Sequence, residues 1–165
     1  MRTFLGIDLG DNCGWCAITS APNIGTTVLS GCWQFKPTRF DTASVRYDMF
    51  GRQLDAWLST GVDEVAYEAV MAHAGIHAAH VYGGYMAKLL EKCELYGIPC
   101  FHYPVGTIKL WATGKGNADK KAMKHAAGIY LNRSISNDNE ADAIHIARML
   151  QEGIRYEKKT KKGKS

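Results

Sequence analysis

Residues 2–10, RTFLGIDLG, decide the fold of this chain. The stretch is mostly apolar up to Asp8 and has a glycine two residues to either side of that acid, so it predicts a strand over residues 2–9 followed by a turn at Gly10. Asp8 interrupts the apolar run near the end of the strand. Because an unpaired charge is costly to bury, we expect the strand to aim Asp8 at a functional cleft.

Two further acids occupy comparable positions. Glu68 ends the strand-like run Val65-Ala66-Tyr67-Glu68, and Asp142 lies near the start of an apolar helix. Crowded carboxylates repel one another and take up protons unless a cation neutralises them. Oxygen-rich acidic sites suit Mg²⁺ or Mn²⁺. The three acids therefore predict a divalent metal site on a sheet.

Asp138 has two interpretations. It precedes Asp142 by four residues, a spacing that places both side chains on one face of a helix. Asp is also a common N-cap residue, and Asp138 stands where the helix is expected to begin. Metal ligation and helix capping both stay open at this position.

The order of the predicted elements indicates a mixed α/β sheet. Three strands come first and form an antiparallel meander, two more strands alternate with helices, and helices complete the pattern. We predict five strands with helices packed on both faces of the sheet. The strands are expected at residues 2–9, 14–19, 28–35, 62–68 and 98–103, and the helices at 41–58, 77–96, 104–111, 119–131 and 139–151.

The composition predicts one domain and a basic tail. A chain of 165 residues with 46% apolar content can form one core but not two α/β domains, and we assign residues 1–153 to that domain. No apolar run approaches the ~20 residues that span a bilayer, and no signal pattern opens the chain, so we expect a cytoplasmic protein without membrane contact. In the tail, residues 154–165, Arg155 and five lysines stand against Glu157. Such a tail is either an arm that touches phosphates or a solubilising end.

The five cysteines are predicted to be free thiols. Cys13 and Cys16 have a CxxC spacing, but both lie in strand-like sequence, which is unsuited to a redox or zinc motif. Their number is odd and their surroundings are aliphatic.

A cluster of lysines surrounds the glycines of the segment between residues 103 and 121. Cationic side chains on flexible backbone suit contacts with phosphodiesters better than they suit the reading of bases. A solvated helix face explains the last lysines of the cluster equally well. The predicted DNA-binding lysines are Lys109, Lys115, Lys120, Lys121 and Lys124.

In this order and spacing, these motifs resemble the RuvC-like Holliday junction resolvases of the RNase H-like nuclease superfamily. The resemblance runs from Asp8 to about Leu150, and the stretch from Ala78 to Tyr85 is closer to the phage-encoded branch. It implies an RNase H-like fold, a homodimer, and paired nicking of four-way DNA junctions with two Mg²⁺ ions per active site, for which Mn²⁺ can substitute. Asp8, Glu68 and Asp142 match the metal-binding acids of the family, and Lys109 and Lys120 match its basic residues near the scissile phosphate.

One position departs from the family pattern. Cellular members typically place a fourth acid three residues before the last, where this chain has Asn139. We favour Asp138 as the fourth metal ligand and catalytic acid because it shares a helix face with Asp142. The amide oxygen of Asn139 stays an alternative.

Three histidines, His73, His77 and His80, follow Glu68 closely. Their softer nitrogen donors fit poorly with an oxygen-rich magnesium site. We therefore expect no ligation from them, while one of them can contact DNA or an acid.

Two other functions remain open. The chain can be a junction-binding protein that does not cut, whose acids serve caps and turns. It can also be an RNase H-like nuclease that acts on other branched DNA or on RNA. Cleavage of four-way junctions in the presence and absence of Mg²⁺ tests the first alternative, and competition among linear, flap, hybrid and branched substrates tests the second.

Overall fold

The computed structural model describes residues 1–72 and 74–155. His73 and all of the predicted tail after Arg155 lie outside the described residues. The strands are β1 (Arg2–Asp8), β2 (Asn12–Ala21), β3 (Gly25–Gln34), β4 (Glu64–Ala69) and β5 (Cys100–Pro104). The helices are α1 (Val45–Leu58), α2 (Ile76–Tyr96), α3 (Val105–Thr113), α4 (Lys120–Leu131) and α5 (Asp138–Gln151).

The five strands form one mixed sheet in the order β3-β2-β1-β4-β5. Strands β1, β2 and β3 pair antiparallel, and β4 and β5 run parallel to β1. Ile7 is the register partner of Tyr67, so β1 and β4 end at the same edge of the sheet. The predicted α/β class, the antiparallel meander and the five-stranded sheet are confirmed.

Helices cover both faces of the sheet, as predicted. On one face, Leu5 and Ile7 of β1 pack with buried residues of α1 and α2, among them Phe50 and Tyr85. On the other face, Phe4 packs with residues of α3, α4 and α5. Neighbouring side chains of β1 therefore enter different cores, as the two-residue period of a strand requires.

Helix α5 crosses the sheet at two glycines. A Cβ atom added to Gly6 would lie 2.5 Å from the carbonyl oxygen of Ala143, and one added to Gly14 would lie 1.9 Å from that of Asn139. Both distances are far below van der Waals contact, so only glycine allows the helix to approach this closely. Gly14 is also the register partner of Asp8, and the first turn of α5 therefore lies beside that acid.

Helices α1, α2, α4 and α5 end where predicted, and other boundaries shift by one to four residues. Asn137, not Asp138, is the N-cap of α5, and its side-chain oxygen accepts a hydrogen bond of 3.1 Å from the N–H of Glu140. The capping interpretation of Asp138 is therefore wrong. The last predicted strand begins at Cys100 rather than at residue 98, because the N–H of Ile98 bonds the carbonyl of Cys93 and completes the end of α2.

The cysteines are free thiols in the structure. Cys13 lies in the core beneath α1 and α2, whereas Cys16 lies in the core on the opposite face of the sheet. The CxxC spacing therefore does not form a site. Among the described residues, no helix combines the length and apolar character needed to cross a membrane.

Candidate active site

Three half-buried acids meet where β1 and β4 end beneath the first turns of α5. This acid cluster consists of Asp8, Glu68 and Asp142. The pKa of Asp8 is raised well above its ordinary value, mainly by burial and next by the carboxylates of Glu68 and Asp142. Side chains separated by most of the sequence therefore share one electrostatic environment, as predicted.

The acid cluster is short of positive charge. Burial, followed by the charge of Glu68, raises the pKa of Asp142 to about 7. Burial also raises the pKa of Glu68, and a hydrogen bond from Asp8 partly offsets that rise. Because opposite charges favour ionised carboxyls, protons in this cluster take the place that a cation would otherwise occupy.

Asp138 lies at the rim of the acid cluster and differs from its members. It forms an ion pair with Lys120, and this contact holds the pKa of Asp138 below its ordinary value. Its charge still contributes to the raised pKa values of Asp8 and Asp142. The neighbouring Asn139 directs its side chain to the thiol of Cys32 instead. Of the two candidates for a fourth ligand, Asp138 is the one oriented towards the acids.

The predicted lysines divide into two groups. Lys109 on α3 lies close enough to lower the pKa values of Glu68 and Asp142, and Lys120 contacts Asp138. Both therefore border the acid cluster. Of the other three, Lys115 is exposed on the loop between α3 and α4 and Lys121 lies on the first turn of α4, whereas Lys124 on α4 is close enough to Asp138 to help lower its pKa.

The donor set fits a hard divalent cation. Its members supply only carboxylate oxygens, which suit Mg²⁺ and Mn²⁺, and their raised pKa values mark a site that gains from added positive charge. Within residues 1–72 and 74–155, however, no three His, Cys, Asp or Glu side chains are arranged as a ready metal site. Asp8 and Glu68 are hydrogen-bonded to each other instead, so a bound cation would replace the proton that these two carboxyls share.

None of the histidines that the structure describes is among the groups that shift the pKa values of the three acids. His77 lines a cavity whose wall also includes Leu9 and Tyr82, next to the acid cluster, and His80 is exposed on α2. The third histidine, His73, lies outside the described residues.

Two residues that support the site were missed in the sequence. The hydroxyl of Tyr82 donates a hydrogen bond of 2.7 Å to the carbonyl of Glu68 and accepts one of 3.2 Å from the N–H of Val70. It thereby fixes the backbone on which Glu68 stands. Gly14 allows α5 to pack closely on the sheet beside Asp8. The sequence patterns around these two residues do not indicate these roles, which depend on contacts between distant elements.

Comparison with known proteins identifies the family. A curated crossover junction endodeoxyribonuclease RuvC from Anaeromyxobacter sp. (strain K) is 31% identical over 145 residues, which cover 87% of this chain and 77% of that relative. The chain belongs to the RuvC family. A second RuvC relative, from Anaeromyxobacter dehalogenans (strain 2CP-C), is 34% identical over 84 residues, or 51% of this chain and 45% of the relative. No protein-family model matches the chain.

Solved structures of RuvC share the fold. Thermus thermophilus RuvC in complex with a Holliday junction substrate superposes with a TM-score of 0.78 at 19% identity, covering 93% of this chain and 98% of that one. A second structure of the same protein gives a TM-score of 0.75. The predicted RNase H-like fold and the resemblance to RuvC are confirmed. The closeness to the phage-encoded branch stays a prediction.

The matched segment covers only part of some RuvC relatives. It spans 45% of the relative from strain 2CP-C and 42% of the one from Anaeromyxobacter sp. (strain Fw109-5). Family membership therefore rests on the longer alignment, and the activity of this chain is argued from its own site.

Proposed function

We propose that this RuvC-family chain is a metal-dependent endodeoxyribonuclease that resolves four-way DNA junctions by paired nicking. One observation carries the proposal: Asp8, Glu68 and Asp142 converge beside Lys109 at one edge of the sheet. A purely structural role does not explain the clustering of mutually repelling acids, which costs stability. Bound cations would relieve the repulsion between the acids and so offset this loss of stability.

Asp8, Glu68, Asp142 and Asp138 would hold two divalent cations, Mg²⁺ or Mn²⁺. When bound, a pair of such ions activates a water molecule and stabilises the leaving oxygen of a phosphodiester. Asp8, at the centre of the group, is suited to contact both ions. Its burial excludes bulk water from the carboxyl and so strengthens its electrostatic interactions.

Two lysines would position the DNA strand at the acids. Lys109 lies beside Glu68 and Asp142, and its ammonium can offset charge on the phosphate as that charge grows in the transition state. Lys120 is paired with Asp138, and this pair must loosen if Asp138 turns to a cation. The released ammonium of Lys120 is then available for the phosphate. Lys115, Lys121 and Lys124 would contact the strand further from the cut.

We infer a homodimer as the working form. Two active sites related by a two-fold axis match the symmetry of a four-way junction and account for paired nicks. On α2, a Cβ added to Gly83 meets no atom within 4 Å, whereas one added to Gly84 would lie 2.4 Å from Tyr47 of the same chain. Gly84 therefore serves packing of α2 on α1, and the surface at Gly83 is one part of α2 that a second copy could approach closely. The proposed location is the cytoplasm.

The first experiment offers a synthetic four-way junction to the wild type and to Asp8→Asn, with Mg²⁺, with Mn²⁺ and with EDTA. We expect symmetric nicks from the wild type with either metal and none with EDTA. Asp8→Asn should lose cleavage by at least ~100-fold, as expected for loss of a major electrostatic contribution, and should still bind the junction. Asp41→Asn, a change of an exposed acid outside the site, is the matched control. Equal cleavage by wild type and Asp8→Asn would rule out the metallonuclease.

The second experiment tests the substrate and the assembly. Linear, flap, RNA–DNA hybrid and four-way substrates compete in one reaction, and we expect the four-way junction to be cut in preference. Binding without cutting would favour the non-cleaving junction binder, and preference for flaps or hybrids would favour another RNase H-like nuclease. One chain has a mass of 18.2 kDa, and sedimentation of the free protein should give twice that mass.

A further inference from the structure

A basic cavity lies along α4, beyond the acid cluster. Its volume is about 560 Å³. None of the residues that line it is acidic, and it collects two lysines, an arginine and a histidine. The lining residues are Lys121, Lys124, His125, Gly128, Ile129, Asn132, Arg133, Ser134 and Ile135.

Local backbone features create this cavity. Asn132 ends α4 in the left-handed conformation, with φ of 51°, and turns the chain back along the helix. The chain can return closely because a Cβ added to Gly128 would lie 2.9 Å from the carbonyl of Arg133. The ammonium of Lys124 then donates a hydrogen bond of 3.3 Å to the carbonyl of Ser136. The segment that returns along α4 forms the opposite wall of the cavity. It is held at Arg133 by the close approach to Gly128 and at Ser136 by the hydrogen bond from Lys124.

The charged groups of the cavity are arranged for contact with an extended anion. Lys121, Lys124 and His125 follow one another at helical spacing and lie on one face of α4. Arg133 is fixed on the opposite wall by hydrogen bonds from its Nη2 to Glu140 at 2.7 Å and to Ser30 at 2.8 Å. The cavity thus has a positive side along the helix, where Lys121 and His125 are exposed, whereas Arg133 is paired with Glu140 and Lys124 with the carbonyl of Ser136.

The cavity lies near the rim of the acid cluster. Lys124, which lines the cavity, is close enough to Asp138 to help lower the pKa of that carboxyl, and Lys120 of the same helix pairs with Asp138. With a rise of 1.5 Å per residue, the helix from Lys120 to Asn132 covers about 18 Å. At 3.4 Å per base pair, this length corresponds to about five base pairs of B-DNA. A strand whose scissile phosphate lies at the acids can therefore meet the cavity a few nucleotides away.

We propose that this cavity binds backbone phosphates of a duplex arm leaving the junction. This inference rests on the proposed function, because it places the arm relative to the acid cluster. It adds His125, Asn132 and Ser134 to the DNA-contacting surface, while Arg133 is held in the wall by Glu140. The cavity offers lysine, histidine, amide and hydroxyl donors, and it does not offer a helix that enters a groove and reads bases. Such donors favour contacts with phosphate and sugar rather than with bases. The cavity would fix the direction of the arm without selecting its sequence.

Salt dependence of binding tests the cavity independently of cleavage. Wild type, Lys121→Glu/His125→Glu and the control Arg52→Glu are titrated with fluorescent linear duplex in EDTA at several salt concentrations. Each lost phosphate contact should lower the slope of log K against log salt by about 0.9. We expect the double variant to lose one to two contacts and to bind roughly 10-fold or more weakly at low salt. Arg52 is 77% exposed on α1 and pairs with Asp48, so its reversal should leave the slope unchanged.

Arm length provides the second readout. Four-way junctions with arms of ~5 and ~15 base pairs are compared in EDTA, since the cavity reaches about five base pairs from the cut. The wild type should gain affinity with the longer arms, and the double variant should gain several-fold less. Equal salt slopes and equal gains in the two proteins would overturn the cavity proposal. If the wild type binds branched and linear DNA alike, the junction proposal fails, while a reduced slope in the double variant still supports phosphate binding in the cavity.

Discussion

At the scale of single residues, Asp142 links the acid cluster to stability. Burial and the charge of Glu68 raise its pKa to about 7, whereas an Asp in an unfolded chain titrates near 4. The folded protein therefore holds the extra proton between these values, and stability falls as pH rises through that window. In EDTA, we expect the stability of Asp142→Asn relative to wild type to increase by about 2 kcal/mol between pH 5 and pH 8.

Denaturant unfolding of both proteins at the two pH values measures this difference. Asp48→Asn changes an acid that is 59% exposed on α1, and its effect should be the same at pH 5 and pH 8. An Asp142→Asn effect that is equally independent of pH would show that the carboxyl titrates normally.

The sequence predicted the members of the acid cluster but not which residue, Asp138 or Asn139, lies at its rim. Asp8, Glu68 and Asp142 were recognisable because each interrupts an apolar element. Neighbouring residues of a helix point about 100° apart, so the choice between Asp138 and Asn139 depends on how α5 is placed on the sheet. The close approach of Gly14 to the carbonyl of Asn139 sets that placement, and the periodicity of the helix alone does not predict it.

At the scale of elements, the packing of α5 on the sheet sets the geometry of the site. A Cβ on Gly14 would overlap the carbonyl of Asn139 at 1.9 Å. We expect Gly14→Ala to displace the first turn of α5 and to cost about 1–3 kcal/mol of stability, the usual range for overpacking. Junction cleavage should fall by more than the loss of folded protein explains, because Asp142 moves away from Asp8.

Gly51→Ala is the matched control. A Cβ at Gly51 in α1 would make ordinary contacts of 3.6 Å with the side chains of Lys88 and Lys92. Alanine should stabilise that helix by about 0.5–1 kcal/mol. If Gly14→Ala unfolds at the same denaturant concentration as wild type, the close approach of α5 is not obligatory.

His145 connects α5 to α4 and makes their packing sensitive to acid. Its Nε2–H donates a hydrogen bond of 3.0 Å to the carbonyl of Met123, and burial lowers the pKa of its ring to about 4. An unfolded His titrates near 6.5, so the folded state binds fewer protons and loses stability as pH falls from about 6.5 to 4. We expect His145→Gln to lose about 2 kcal/mol less than wild type over this range.

Thermal unfolding followed by circular dichroism at pH 4.5 and 6.5 measures the effect. His125→Gln, a change at an exposed position of α4, is the control and should follow the wild type. Parallel acid destabilisation of wild type and His145→Gln would assign the sensitivity to other groups.

At the scale of the whole molecule, the sequence predicted the fold better than the site. The periods of the hydrophobic residues and the order of elements were sufficient for a mixed sheet covered on both faces. The crossing of α5 over Gly6 and Gly14 was not predictable, because it joins residues more than 120 positions apart. The RuvC resemblance supplied the link between Asp8 and Asp142 that periodicity lacked, and the structure supplies its physical basis.

Divalent metal should stabilise the whole chain if the acids bind it. A ligand at ten times its dissociation constant adds about 1.4 kcal/mol, or about 3–5 °C in Tm for a chain of this size. We expect Mg²⁺ to raise the wild-type Tm by this amount at pH 8 and by less at pH 6, where protons compete for the carboxyls. Asp8→Asn should have the higher Tm in EDTA, because repulsion is relieved, and should lose the Mg²⁺ response. An equal Mg²⁺ shift in wild type and Asp8→Asn would place the bound ion elsewhere, with Asp41→Asn as the control for unspecific effects.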